Sequence, residues 1–401
     1  DGLYPYFSWQ YDTTPVAVSG KAYSDNGSTA LAGANVNAIT GGNLLGSAAT
    51  GANGYYYILR EAGSLDASGV LTYLDGESIQ GAAFGDEVTA TGISGLDIFG
   101  PSLHLLTAET TLTGTLANLA AAIGAFADTD FDFIDMGSAG LTTGGEGVTV
   151  DASSGYALDR ALSVGDFLSV SSDGDITVDE AITWTGTGEL SFDAGNDIAL
   201  NAAIDDENGE VTLTARGNGG SDEVGTITTG AGGTVDIGRF NLIRGTWEQI
   251  GATLPSFSAD DFRLSFVTDA TFIRARGGDG TIADPYQLFD LYGLQGITVI
   301  DTRSNDYADY GVNYLLVDDI DASATLNWND GAGFSPVPLG GNLDGGGHTI
   351  DGLFINRPGE WAGLISYWSD RATVDAPDVE IRDLRITNAD ITGSSTGILF
   401  A

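Results

Sequence analysis

The chain has 401 residues, of which 56 are acidic and 14 basic, with Lys21 the single lysine, giving a formal net charge of −42. A surface this acidic repels nucleic acid and anionic membranes, leaving divalent cations or the salt of a saline medium as its counter-ions; acidity is also a common solubility device in secreted proteins. Hydrophobic residues at 42% exclude a disordered chain, the absence of cysteine excludes disulfide stapling, and no apolar run approaches the ~18 residues of a membrane-spanning helix.

The N-terminus is unusually aromatic, with Tyr4, Tyr6, Phe7, Trp9 and Tyr11 around Pro5. Residues 1–15 read as an arm that either packs on its own domain or docks on the exposed sheet edge of a neighbouring subunit. A start at Asp1, without Met or signal peptide, fits a mature product or a piece of one.

From Val16 the pattern is antiparallel. Val16–Tyr23 alternates, Asp25-Asn-Gly turns the chain, residues 32–39 follow, and Gly41-Gly-Asn turns it again before residues 46–50 and 53–58. Short strands between Asn-Gly and Gly-Gly turns predict a small β-sandwich over 16–106, completed by strands at 71–74, 87–91 and 96–99. The segments Val18-Ser-Gly, Leu31-Ala-Gly-Ala-Asn-Val36 and Thr50-Gly-Ala-Asn-Gly-Tyr-Tyr56 resemble the prealbumin-like (carboxypeptidase-regulatory-like) modules of bacterial surface proteins. That resemblance implies a binding or spacer module rather than a catalyst.

Residues 107–146 hold the one plausible helix. Leu112, Leu116, Leu119, Ile123 and Phe126 form an amphipathic stripe, and the stretch 116–127 is alanine-rich. This predicts a partly helical cap over the first coil of whatever follows; because 110–115 also alternates, irregular first coils are the alternative.

A repeat then sets in over 147–238. Leu168, Leu190, Val211 and Val235 recur at steps of 22, 21 and 24 residues, and Val170, Phe192, Leu213 and Ile237 recur beside them. The stretches 174–182 and 196–204 repeat a second strand. A period near 22 with alternating strands broken by Gly and Asn predicts a β-solenoid, in which each thin coil buries its apolar side on the next. No echo is visible over 239–276, which reads as a less regular strand pair or an insertion; its Trp247, Phe257, Phe262 and Phe266 read as core rather than as a ligand platform.

Over 277–401, Gly277-Gly-Asp-Gly-Thr-Ile-Ala-Asp-Pro-Tyr-Gln-Leu288, Tyr314-Leu-Leu-Val-Asp-Asp-Ile-Asp321 and Pro338-Leu-Gly-Gly-Asn-Leu-Asp-Gly-Gly-Gly-His-Thr-Ile-Asp-Gly-Leu353 resemble GLUG-type repeats of bacterial exoproteins. Trp361-Ala-Gly-Leu-Ile-Ser-Tyr367 stands where that family has its Gly-Leu-Phe-Gly strand, and Ile381-Arg-Asp-Leu-Arg-Ile-Thr-Asn-Ala-Asp-Ile391 supplies a next rung. One clear repeat is present, and a second breaks off at Ala401. Residues 147–237 resemble the shaft of filamentous-haemagglutinin-type adhesins. Together these resemblances imply an all-β chain, with a right-handed parallel β-helix of ~22 residues per coil after the sandwich. They also imply export to the surface of a Gram-negative-type cell and use in adhesion or matrix building. The apolar stretch 397–401 leads to the expectation that more chain follows, or that another surface covers this end.

Chemistry-bearing residues are sparse. His348 lies in a glycine-rich corner, the other histidine is His104, and without cysteine neither belongs to a zinc set. Glycosidic hydrolysis needs paired carboxylates. Asp318, Asp319 and Asp321 are clustered, with Asp344 and Asp351 placed to lie one coil away and Arg382 and Arg385 as partners, yet strand alternation and the repeat pattern already explain these acids. Asp128-Thr-Asp-Phe-Asp132 and Asp173-Gly-Asp175 place oxygen donors at alternate positions, as calcium prefers; neither is an EF-hand, and solvated turns are the plainer account. No catalytic or cofactor-binding residue is assigned, and the metal ligands stay open. The expectation is a non-enzymatic adhesin that contacts cell surfaces, glycans or copies of itself. The alternatives are a homopolymeric filament or biofilm-matrix subunit, and a polysaccharide lyase or hydrolase.

Overall fold

The computed structural model describes residues 6–7, 9–137, 140–184, 188–217, 224–265, 269–298, 311–368 and 379–399. The chain is all-β, with two short α-helices among the described residues, and divides into two units, Asp1–Gly209 and Glu210–Ala401.

The first unit opens with two facing sheets. Val16–Tyr23 pairs antiparallel with Tyr55–Arg60 and parallel with Gly92–Ser94 and Ile98–Phe99. Opposite it, Asn35–Thr40 pairs antiparallel with both Asn43–Ala49 and Val70–Leu74, and Val70–Leu74 with Ala82–Gly85. Alternation sends Val18, Val36, Tyr56, Ile58, Val70 and Leu74 into one buried cluster. Gly41 and Gly42 link the hairpin with φ of 53° and 75°, the pair of left-handed residues that a two-residue hairpin turn demands. The strand expected at 87–91 is absent. Those residues form a loop, and the sheet is extended by Ala82–Gly85.

The next strand changes the topology. Ser102–Thr107 lies parallel to Ala82–Gly85 on one side and parallel to Gly147–Ala152 on the other, with Leu103 opposite both Ala82 and Val148. One strand therefore closes the module's sheet and begins the parallel stack. Its His104 is buried, with Nδ1 2.7 Å from the Asp97 carbonyl and Nε2 2.9 Å from Asp151 Oδ2. Helix α1, Leu112–Ile123, is stopped at both ends by sequence: Thr111 Oγ1 accepts from the Gly114 amide, and Gly124 takes φ 55° while donating to the Ala120 carbonyl. Leu112, Leu116 and Leu119 are buried as the stripe predicts, whereas Ile123 and Phe126 are half-buried. The helix packs on Asn35–Thr40, Val70–Leu74 and Tyr156–Leu158, so it covers the module as well as the start of the parallel strands.

Three parallel ladders follow. In the first, Val148, Leu168 and Leu190 are register partners, as are Val150, Val170 and Phe192. In the second, Tyr156, Ile176 and Ile198 align, with Leu158, Val178 and Leu200 beside them. In the third, Leu141, Leu162, Ile182 and Ile204 align. All of these side chains are buried. The alternating apolar residues thus select both strand and register, since a slip of one residue would turn each set to solvent.

In the second unit, the described part of 239–276 is built mainly of strands in parallel register rather than an insertion. Val235–Ile250 pairs with Phe257–Leu264 (Val235 with Phe257, Phe240 with Phe262), and its second half pairs with Ala270–Ala275 (Trp247 with Phe272). Phe240 stacks on Phe262 at 5.5 Å and Trp247 on Phe272 at 5.4 Å. Trp247, Phe257 and Phe262 are buried as expected; Phe266 lies outside the described residues. The later ladders have longer steps. Tyr286, Tyr314, Leu343 and Ile381 are successive partners, at steps of 28, 29 and 38 residues rather than the expected ~22. Between these strands lie helix α2, Leu291–Gln295, and the 3-10 segment Ser323–Gly331, which lengthen the connections.

Candidate functional site

Three of the acids singled out by sequence, Asp319, Asp321 and Asp351, meet on one outward face of the second unit. Ile320–Asp321, Thr349–Asp351 and Arg385–Thr387 run parallel, with Ile320, Ile350 and Ile386 in register. Ile320 and Ile350 are buried, which turns their neighbours outward in two columns. One column holds Asp321, Asp351 and Thr387; the other holds Thr349 beside Arg385, with Asp319 next to them. These residues line an open concavity of about 520 Å³.

Each acid there is already engaged in holding a corner. Asp319 Oδ1 accepts from the Thr349 amide at 2.9 Å and lies 3.3 Å from His348 Nδ1. The Thr349 bond, then His348 and Arg385, hold the Asp319 carboxyl below its ordinary range. Asp321 accepts from the Ser323 amide at 2.9 Å, and Ser323 lowers its pKa likewise. Asp351 Oδ1 accepts from the Thr387 hydroxyl and, at 2.7 Å, from Asn388 Nδ2. Asp344 lies away from this group: its Oδ2 takes Arg382 Nε at 2.9 Å and Nη2 at 2.6 Å, and its Oδ1 takes the Gly346 amide, so its carboxyl is also held low. Asp318 pairs with Arg276 at 3.0 Å. A general acid in glycoside cleavage needs a carboxyl pushed upward so that it keeps its proton; Asp319, Asp321 and Asp344 are pushed the other way. His348 fits the corner role expected of it, in a turn where Gly346 and Gly347 take φ of 56° and 81°.

A second acidic group lies in the first unit. Asp128 and Asp130 are brought against Asp75, with carboxylate oxygens of all three within 4.8 Å of one another. Sequence pointed to the first two but not to Asp75, which arrives from the end of Val70–Leu74. The donors around them are neutral: Tyr73 Oη donates to Asp128 Oδ2 at 2.8 Å, the Gly76 amide to Asp130 Oδ2 at 2.7 Å, and Asn35 Nδ2 to Asp75 Oδ2. Asp132, Asp173 and Asp175 are exposed and do not join the cluster. Three close carboxylates offer the oxygen ligands that a hard cation takes, and without one they repel. In calcium-free buffer Asp75→Asn, which keeps an acceptor oxygen while removing a charge, is expected to raise the unfolding free energy by a few tenths to about 1 kcal/mol. Urea titration with and without calcium checks this: a loss of stability in both buffers would contradict it.

The third polar assembly was not legible in sequence. Arg239 and Asp261 are register partners, with Arg239 Nε 3.1 Å from Asp261 Oδ2, and Arg263 Nη2 lies 2.6 Å from the same oxygen. Both arginines also reach Asp330 Oδ1, at 3.1 and 2.6 Å, while Asp261 Oδ1 accepts from the Asn329 amide. Asn329 and Asp330 are left-handed at φ 54° and 55°, so this clamp pins a strained corner with Trp328 buried behind it.

No family model and no solved structure matches the chain. Over 142 residues, 31% of its length, the chain is 38% identical to halomucin of Haloquadratum walsbyi, a stretch that makes up 1% of halomucin. Over 122 residues, 29% of its length, it is 30% identical to a Gly-rich membrane protein of Evansella cellulosilytica, covering 12% of that protein. The chain thus corresponds to a small part of either relative. No helix among the described residues is long and apolar enough to cross a membrane. Nothing in these comparisons supports the expected Gram-negative-type cell.

Proposed function

We propose that the chain is a non-enzymatic segment of an extracellular or cell-surface protein. Its parallel ladders would be turns of a right-handed β-helix, related to the GLUG-type and haemagglutinin-type shafts it resembles, and its work would be adhesion to glycans or other cells. The observation that carries this reading is the outward face at Asp319, Asp321 and Asp351. Its carboxylates are spent on backbone and corner hydrogen bonds, as in a scaffold that shows an acidic flank. Partial similarity to halomucin and to a Gly-rich membrane protein supports the surface location.

A second reading is self-assembly into filaments, which the unlike ends of a solenoid would suit.

Electron microscopy of the purified chain, together with binding to an array of neutral and acidic glycans, separates these readings. Single rods that bind defined glycans without shortening them support adhesion, and filaments with a fixed axial repeat support assembly. Release of reducing ends or unsaturated sugars from acidic glycans would overturn the non-enzymatic reading.

A further inference from the structure

Among all 401 residues, one Asn-x-Ser/Thr triplet occurs, Asn26-Gly27-Ser28. Such a triplet is the acceptor motif for N-linked glycans, and it is usable only where the asparagine is on an accessible surface loop of an exported chain. Its setting here meets the structural half of that demand. The triplet crowns the turn after Val16–Tyr23, closed at its base by the Tyr23–Ala30 bridge and by the Ser24 amide donating to the Thr29 carbonyl at 2.9 Å.

Inside the turn, Asp25 Oδ1 takes the Ser28 and Thr29 amides at 2.7 and 2.8 Å, and the Gly27 amide donates to the Asp25 carbonyl at 2.7 Å. Asn26 thus sits at the apex, between residues whose backbone groups are bonded to each other. Gly27, at φ 93°, lies against Phe99, where a Cβ would come 3.2 Å from the ring, and Phe99 itself stacks on Tyr23 at 5.6 Å. The turn is therefore seated on the module by its glycine, while Asn26 and Ser28 are both exposed. The Asn26 carboxamide makes no hydrogen bond to any described residue, so nothing need break for it to be taken up as a nucleophile.

We propose that Asn26 is an N-glycosylation site of this module. The donor class is a lipid-linked glycosyl phosphate or diphosphate, used by a membrane oligosaccharyltransferase during export. In the transfer, Asn26 Nδ2 forms a bond to the anomeric carbon and the bond from that carbon to the phosphate oxygen breaks. The lipid phosphate leaves, one amide proton passes to base, and nothing is oxidised or reduced. A glycan here adds bulk and hydration at the exposed apex of the turn. This inference rests on the surface reading, because the transferase acts only on exported chains.

The test is mass spectrometry of the protein recovered from the surface and medium of the cells that make it naturally. Cleavage after Lys21 and Arg60 gives a peptide of residues 22–60 containing the triplet. The expected result is a glycan mass on that peptide, localised to Asn26 by fragmentation. It is lost completely in Asn26→Gln and Ser28→Ala and kept in Ser28→Thr, and all three variants unfold at the same temperature as the parent. Surface protein bearing only the unmodified or deamidated peptide overturns the glycosylation site and leaves the surface reading standing. Protein found only in the cytoplasm overturns both.

Discussion

Arg274→Ala is expected to lower the unfolding free energy by about 3–5 kcal/mol, the cost of stranding one member of a buried, hydrogen-bonded ion pair. Arg274 is 5% exposed. Its Nε donates to Asp290 Oδ2 at 2.7 Å, its Nη1 donates to the Gln249 side-chain carbonyl and to the Pro255 carbonyl, and its guanidinium lies 5.2 Å from the Phe289 ring centre. Gln249 is itself buried, so losing the arginine leaves its oxygen without that donor. Asp290 has a second duty, since its Oδ1 caps helix α2 through the Gly293 amide at 2.8 Å. One substitution therefore loosens a rung strand, the Pro255 loop and the helix start together. Arg274→Lys keeps the charge but cannot span three acceptors, and is expected to recover less than half of the loss. Urea unfolding followed by tryptophan fluorescence reads both variants. A loss below about 1 kcal/mol for the alanine variant would show that the pair stabilises little more than a surface one.

Salt is expected to have the other large effect. With a formal net charge of −42, the folded chain concentrates like charges that the unfolded chain spreads apart. Asp321 faces Asp351 across adjacent rungs, and Asp75, Asp128 and Asp130 share one small volume. Going from 0.1 M to 1 M NaCl shortens the Debye length from about 10 Å to about 3 Å and screens this repulsion. The melting temperature near neutral pH is expected to rise by roughly 5–10 °C.

Acid acts in the opposite direction through a different set. Asp319, Asp321, Asp330 and Asp344 are held below the ordinary carboxyl value of 3.8 by hydrogen bonds and by Arg263 or Arg382. Their folded-state values are depressed, so their contribution is complete above about pH 4 and disappears as pH falls through those lower values. Calorimetric scans across salt and pH test both statements; a melting temperature that falls with salt at pH 7 would contradict the first.

Much of the fold was legible because apolar alternation in short parallel strands leaves few alternatives of register. Leu168 with Leu190 and Val170 with Phe192 could be paired by counting, and their register partners are those residues. The count failed where chemistry replaced the pattern. Phe257, Phe262 and Phe272 continue the rungs of Val235, Phe240 and Trp247, but rings among aliphatics and a step that grows from 22 to 25 residues hid the echo. The 16-residue strand Val235–Ile250 also serves two neighbours in turn, which no local signal announces. The later ladders were visible as strands and not as a period, because the connections around α2 and Ser323–Gly331 vary in length.

The acids on the outward face were found in sequence by their clustering. Asp75 and Arg274 were not, since the partners of each come from distant segments and carry no local motif. The same limit applied to Ser102–Thr107, whose double membership depends on pairing on both edges.

The in-register parallel stack can be measured directly, because the chain has no native cysteine. Cysteines placed at Ser169 and Ser191, register partners in the first ladder, and at Thr177 and Ala199, partners in the second, lie one rung apart. Adjacent strands are about 4.8 Å apart, within the span a disulfide bridges. Mild oxidation is expected to link both pairs in most molecules with the fold retained, while the mismatched pair Ser169 and Ala199 stays reduced. Linking of the mismatched pair at a similar rate, or failure of both register pairs to link in the folded protein, would contradict the account.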